Sequence, residues 1–335
     1  MAKKRILVYV PGSGEDGCAW YRGVGPWSHL GKDFADEVEV RFAYSKAQCG
    51  DIRMADCLFM LRPYTAEEVM MARMAKRLGV PVWTDWDDFL FGLTPDNPAK
   101  PLYDDPNVTR NMTEVLSLSS VVTVTTKALE SAMDVLAVER CVLVPNSYDP
   151  YFDKVRQPIK RSKSTQILYR GSVTHQRDLS LANKVFLTAE SKQACWFFVG
   201  LQPWEFDRMK NATFVPGRGA FDYFEVLGAL SVDIGIVPLA PTQFNLCKSN
   251  IAAMEIALAG GVALVPNWAE WRDIPGVAFY SQNQSFEDEF HNLLALRQEY
   301  PSAVAKRAAD TIEYFKTERH LGKANATRME IIRSL

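Results

Sequence analysis

Lys248-Ser249-Asn250 stands in a polar loop directly before an apolar helical stretch whose one acidic residue is Glu255. A cation and a capping hydroxyl beside the unbonded N–H groups of a helix start make an anion site, most simply for phosphate. Glu255 falls about two turns into the same helix, beyond capping-box range but suited to a hydroxylated group attached to that anion. Taken alone, the segment also reads as an ordinary amphipathic helix with Lys and Glu facing solvent. A second cluster, Asp85-Trp86-Asp87-Asp88, follows an apolar run. Such carboxylates can bind a metal, act as a general base, or accept hydrogen bonds from a polyhydroxylated acceptor, and they also suit a helix N-cap. Trp83 and Trp86 alternate with the acids and fit either sugar stacking or a core. His175 and Asp178 are spaced for contact at a helix start, with His175 equally readable as a solvated loop residue. Gly12, Gly14 and Gly17 keep a G-x-G-x-x-G spacing, but Arg41 and Phe42 stand where a dinucleotide site needs an acid. Tyr21-Arg22 follows, and on its own Arg22 reads as an anion contact or a surface arginine.

These groups need strands and helices to hold them at one edge. Apolar runs predict strands at 5–10, 37–43, 56–61, 80–84, 121–125, 141–144, 166–170, 195–199, 213–215, 233–237, 262–265 and 277–280. Helices are predicted at 20–31, 65–79, 107–119 and 126–138, and throughout from Phe286 onward. Such alternation means parallel sheets covered on both faces, here twice over. Each polar cluster then follows a strand, at the carboxyl edge where α/β proteins bind ligands. Residues 154–164 hold five basic residues and no acid, which reads as a solvated linker.

The 247–260 segment CKSNIAAMEIALAG resembles the donor helix of GT-B glycosyltransferases, particularly the retaining family 4 group with its Glu-x7-Glu pair. The resemblance gives Glu255 the ribose hydroxyls of the nucleotide. The first glutamate of the pair falls on Cys247, which cannot make the same bonds to the transferred sugar. Residues 165–179, TQILYRGSVTHQRDL, resemble the opening of the family's second domain; Gly171 matches its glycine and Arg177 its lysine. Ser172 stands for the usual arginine, with Arg170 a substitute. Val142-Leu-Val-Pro-Asn146-Ser-Tyr-Asp149 resembles the segment that leaves the first domain, Tyr21-Arg22 its opening, and 85–88 a "D.DD.l" run on the acceptor side.

The resemblance implies an α/β chain of two Rossmann-like doubly wound domains facing across a cleft (GT-B). It implies an acceptor-side domain over 1–150, a nucleotide-sugar domain over 165–315, and a C-terminal helix over 316–335 crossing back. Expected donor-binding residues are Gly12, Gly14, Gly171, Arg177, Lys248, Ser249, Asn250 and Glu255; expected acceptor-binding residues are Tyr21, Arg22 and Trp86. Asp85, Asp87 and Asp88 are the catalytic candidates. No metal and no cofactor are expected, only a UDP- or GDP-sugar as co-substrate, with the leaving diphosphate stabilised by side-chain cations and a helix start.

Composition bounds the rest. With 335 residues, 47% of them apolar, the chain can bury two cores. No apolar run approaches the roughly 20 residues of a membrane helix, and the start MAKKR leads straight into a strand, so a cytoplasmic protein of bacterial or phage-infected cells is expected. Six cysteines without a CxxC pair argue for reduced, buried thiols and against zinc. The expected acceptor is a glycan or polysaccharide hydroxyl, or a hydroxymethylated DNA base in a phage setting. A net charge of −2 offers no strongly basic face for DNA. A UDP-sugar 2-epimerase and a noncatalytic nucleotide-sugar binding module are the alternatives; four histidines weigh against the first.

Overall fold

A computed structural model describes residues 3–44, 49–134, 136, 138–188, 190–281 and 283–335. Its twelve strands form two six-stranded sheets in which every pairing is parallel. The first has the order β2-β1-β3-β4-β5-β6. It is built from β1 (Lys4–Val10), β2 (Val38–Tyr44), β3 (Cys57–Leu61), β4 (Val82–Trp86), β5 (Val121–Val124) and β6 (Cys141–Leu143). The second has the order β12-β11-β10-β7-β8-β9. Its strands are β7 (Gln166–Arg170), β8 (Cys195–Val199), β9 (Ala212–Val215), β10 (Ile234–Ile236), β11 (Val262–Pro266) and β12 (Ala278–Tyr280). Every strand lies within two residues of its predicted place.

The apolar runs explain this. All five residues of β3, β4 and β11 are buried, as strands covered on both faces must be. Around the first sheet, Trp27, Phe59 and Trp83 meet edge to face with centroids 4.8 to 5.6 Å apart. The second sheet has its own aromatic layer of Phe186, Trp196, Phe198 and Phe290.

The helices follow local signals, with one correction. Ala66–Arg77 opens on a capping box between Thr65 and Glu68, and Pro106–Leu118 opens on Asp105, which accepts from Asn107 N–H. The predicted 126–138 helix is seen as Lys127–Asp134, with 135 and 137 outside the described residues. The stretch predicted as one helix over 20–31 is instead a π-helical turn, Ala19–Val24, running into an α-helix, Gly25–Asp33. The wider turn lets neighbours point apart: Trp20 and Tyr21 enter the second sheet's apolar cluster, while Arg22 goes beneath the first sheet's edge.

From Phe286 the chain forms three helices, Phe286–Glu299, Pro301–Thr317 and Leu321–Ser334. The last lies on the first sheet: Met329, Ile331 and Ile332 pack with Ile6, Val8 and Trp27, and Asn325 donates to Pro26 O at 3.1 Å. The crossing is fixed by Tyr148, whose N–H donates to Arg319 O and whose carbonyl accepts from Leu321 N–H.

Candidate functional site

The loops leaving the carboxyl ends of the two sheets meet across a cleft. Ala220 N–H donates to Glu15 O at 2.6 Å, Thr126 Oγ1 to Cys247 O at 2.8 Å, and Asn97 Nδ2 to Thr174 O at 3.4 Å. The polar groups singled out in the sequence gather here, and first-sheet groups already hold several of them.

The helix Ile251–Leu258 begins at Asn250, whose side chain caps nothing and donates to Glu270 O at 3.1 Å. Ser249 does not cap either, because its hydroxyl accepts from Asn146 Nδ2 at 2.9 Å. The helix-start N–H groups are therefore not consumed by these two side chains. Lys248 lies over the Phe244 ring, 4.3 Å from its centroid, and its ammonium reaches Asp88 Oδ1 at 3.0 Å. Cys247 turns away into the apolar cluster of Trp86 and Phe89, and burial pushes its thiol up to about 11. It is a packed hydrophobe rather than a thiolate.

Glu255 is 1% exposed. One carboxylate oxygen accepts from Tyr21 Oη at 2.9 Å; the other accepts from Tyr223 Oη at 2.8 Å and pairs with Arg170 Nε at 2.5 Å. Burial, then the Glu255 charge, pushes the Tyr21 phenol well up and keeps it a donor. Arg170, the expected substitute for a phosphate cation, is thus committed to Glu255. Of roughly four acceptor positions on a carboxylate, about one remains for another hydroxyl.

Gly171 follows β7 at a crowded point, where an added Cβ would lie 2.5 Å from Tyr169 Oη. Gly12 and Gly14 both have φ near the left-handed region, +69° and +75°, and a Cβ on Gly14 would strike the Tyr44 ring at 2.6 Å. Arg177 points outward: it is 54% exposed and pairs with Asp96 at 2.8 Å. His175, two residues earlier, lies in the cleft instead. Its Nδ1 is 2.7 Å from Asp178 Oδ2, and Asp178 Oδ1 accepts from Ala240 N–H and Asn245 Nδ2 at 2.8 and 2.7 Å.

The 85–88 run separates into three fates. Asp85, 1% exposed, takes Arg22 Nε and Nη2 at 2.8 and 2.7 Å and Thr123 Oγ1 at 2.6 Å. Arg22 is wholly buried and also donates to Val144 O and Asn146 Oδ1. Neither Asp85 nor Arg22 can meet a substrate in this arrangement, which corrects the expectation of a catalytic or acceptor role. Trp86 is 0% exposed and packs in the core, so its expected stacking face is covered too. Asp87 and Asp88 remain in the cleft, paired with Arg62 at 3.1 and 3.8 Å. Burial raises the Asp87 carboxyl; burial works on Asp88 the same way, but Lys248 and Arg62 hold it below the ordinary range.

Arg62 and Tyr223 are site residues that the sequence did not mark, and Asn146 stood out only as part of the segment leaving the first domain. Arg62 is the one non-glycine with positive φ among the described residues, 43°, and its N–H donates to Asp85 O. Its signal was an arginine before proline at the end of a buried strand, Leu61-Arg62-Pro63. Among the described residues there is no group of three or more His, Cys, Asp or Glu able to hold a metal, and no helix long and apolar enough to cross a membrane.

No family model matches the sequence, and no curated protein matches it. Solved structures do. HepE of Anabaena, solved with UDP and glucose, aligns over 99% of this chain and 100% of its own at 13% identity, with a TM-score of 0.69. Sucrose-phosphate synthase of Thermosynechococcus elongatus aligns over 99% of both chains at 10% identity and TM-score 0.69. The catalytic domain of starch synthase IV of Arabidopsis thaliana, bound to ADP and acarbose, covers 100% and 99% at 7% identity and TM-score 0.67. The architecture shared with them is GT-B, two Rossmann-like sheets facing across a cleft.

Proposed function

We propose that this protein is a glycosyltransferase that moves a sugar from a nucleotide-sugar donor to a hydroxyl acceptor. The observation that carries the reading is Lys248 beside the uncapped start of the Ile251–Leu258 helix, with the buried carboxylate Glu255 on that helix, at the cleft edge of a GT-B fold. Solved proteins of this fold hold UDP, UDP-glucose or ADP. The diphosphate is assigned to Lys248 and the helix N–H groups and the ribose to Glu255, with Arg177 joining after it leaves Asp96. As the bond from sugar to phosphate breaks, negative charge builds on the diphosphate, and these fixed donors stabilise it without a metal. The family resemblance favours retention of configuration. The acceptor is a glycan hydroxyl or, in a phage setting, a hydroxymethylated base.

A thermal-shift panel of UDP-, GDP-, ADP- and CMP-sugars tests the reading, repeated on Lys248→Ala and Glu255→Ala. One nucleotide class should raise Tm by several degrees in the wild type and in neither variant. No shift with any nucleotide sugar would sink the proposal. The burial of Cys247, where the family has a sugar-binding glutamate, favours a second reading as a noncatalytic binding module. A bound donor that stays intact with every acceptor class would establish it.

A further inference from the structure

We propose that His175 is the proton-transfer residue of this cleft and that Asp178 is its positioning carboxylate. The inference rests on the glycosyl-transfer reading and names the group that accepts the proton in it.

The geometry begins with Asp178. Ala240 N–H and the Asn245 amide both donate to its Oδ1, so the carboxylate is pinned to the segment that leads into the Lys248 loop. Its Oδ2 faces His175 Nδ1 at 2.7 Å, and an acceptor there requires Nδ1 to carry the hydrogen. That tautomer leaves the lone pair on Nε2. Among the described residues Nε2 has no hydrogen-bond partner, yet it is not sealed from solvent, and the side chain keeps 17% exposure. The imidazole is thus fixed at one nitrogen and open at the other, which is the arrangement of a general base held by an orienting acid.

The charges around it keep it ready to accept a proton. Burial, and then Lys248, lower the His175 pKa below its ordinary value, opposed by Asp178 and by Asp88 across the cleft. Burial and Lys248 thus favour the uncharged ring. In the proposed step, the acceptor oxygen bonds to the anomeric carbon on the face from which the phosphate departs, so that configuration is retained, while its hydrogen passes to Nε2. The bond from that carbon to the phosphate oxygen breaks, and its electron pair leaves on the nucleoside diphosphate beside Lys248. The imidazolium that forms is stabilised by Asp178 and later loses its proton to solvent; nothing is oxidised or reduced.

The test uses the full-length protein, the nucleotide sugar that raises its Tm, and water in place of the unidentified acceptor. Nitrogen-15 NMR of labelled histidine, with His175 assigned through H175Q, should show the Nδ1–H tautomer. Its pKa should rise when the donor's diphosphate binds. Release of nucleoside diphosphate should fall 100-fold or more in H175Q, within the range for loss of a general base, while the donor Kd stays within threefold. In D178N the acidic limb of the rate profile should move to lower pH, because the carboxylate that raises the His175 pKa is gone. An imidazole unmoved by donor, or H175Q hydrolysis within threefold of wild type, overturns the assignment. A wild-type protein that binds no nucleotide sugar removes the glycosyl-transfer reading itself, which is a different result.

Discussion

Replacing Asp85 tests whether the first acid of the 85–88 run serves the fold or the reaction. Asp85 accepts three hydrogen bonds at 2.6 to 2.8 Å and is sealed with Arg22. Removing one member of a buried ion pair costs about 3–5 kcal/mol, because the other charge stays buried without its partner. The two halves should not cost the same. Arg328, on the returning C-terminal helix, is also 1% exposed, and among the described residues its guanidinium has one hydrogen bond, to Asn325 Oδ1 at 3.1 Å. Burial, then the Arg22 charge, drives its pKa down to about 9, and Asp85 is the group that opposes them. Asp85 thus pairs with Arg22 and, at longer range, opposes the charge that weighs on Arg328. Asp85→Leu removes both effects, which places it at about 5 kcal/mol; Arg22→Met also relieves the like charge facing Arg328, which places it at about 3 kcal/mol. The double variant should cost less than the sum of the two, since neither partner is left to face the other's loss. Urea unfolding followed by tryptophan fluorescence is a suitable assay, because Trp83 Nε1 donates to the same Thr123 hydroxyl that donates to Asp85. A Tm loss on the order of 10 °C should accompany Asp85→Leu. A cost of about 1 kcal/mol or less, or a smaller cost than that of Arg22→Met, would refute the reasoning.

Tyr21→Phe removes one of the bonds on Glu255; it should cost about 1 kcal/mol of stability yet tighten nucleotide-sugar binding severalfold by calorimetry, since a ribose would no longer displace the phenol. Lys248→Ala should weaken donor binding by roughly 10- to 100-fold, the worth of a charge-assisted bond, while Asp88→Asn, which frees the same ammonium and leaves the site more cationic, should tighten it and increase its salt dependence. Unaltered donor affinity in both variants would show that Lys248 does not meet the diphosphate. Burial raises Glu270 from 4.5 to about 7, against Arg319 at 3.8 Å. A carboxyl raised on folding costs nothing below its unfolded pKa and its full penalty above its folded one. Glu270→Gln should therefore stabilise the protein by up to roughly 3 kcal/mol at pH 8 and by nothing at pH 4, read from urea midpoints at the two pH values.

The strands were legible because most are short apolar runs closed by Gly, Pro or an acid, and a parallel sheet buried on both faces asks for no more. The start of the helix at 19–24 was not. Ala-Trp-Tyr-Arg-Gly-Val holds no signal for a π-turn; the turn answers a demand set by Glu255 on one side and Asp85 on the other, 234 and 63 residues away. Lys248 and Glu255 stood out as polar residues in apolar surroundings. That they pair with Asp88, Tyr21 and Tyr223 could not be read, since those residues arrive from distant segments. The misplacement of Trp86 and Asp85 has a simpler cause. Side chains alternate along a strand, so Trp83 and Asp85 share a face and both meet Thr123, while Trp86 takes the other face with Phe89. The alternation could be read from the residues, and only the sheet order showed that both faces are covered.

The contacts across the cleft also bear on how a donor enters. Asp88 occupies Lys248, Tyr21 occupies Glu255, Asn146 occupies Ser249 and Asp96 occupies Arg177. At these side chains a nucleotide sugar would exchange partners with the first sheet's loops. The exchanges differ in weight. Arg177 and Asp96 are 54% and 42% exposed, and a solvated pair of that kind is worth about 1 kcal/mol at most. Lys248 and Asp88 keep only 16% and 20% exposure, so there a diphosphate must outcompete a carboxylate where water screens little. It can do so because it brings more than one negative charge, and the helix N–H groups favour it as well. Asp88 then loses its ammonium but keeps Arg62, facing the space where His175 Nε2 is open. On this reasoning, donor binding uncovers the acceptor side of the cleft, and the acceptor should follow the donor.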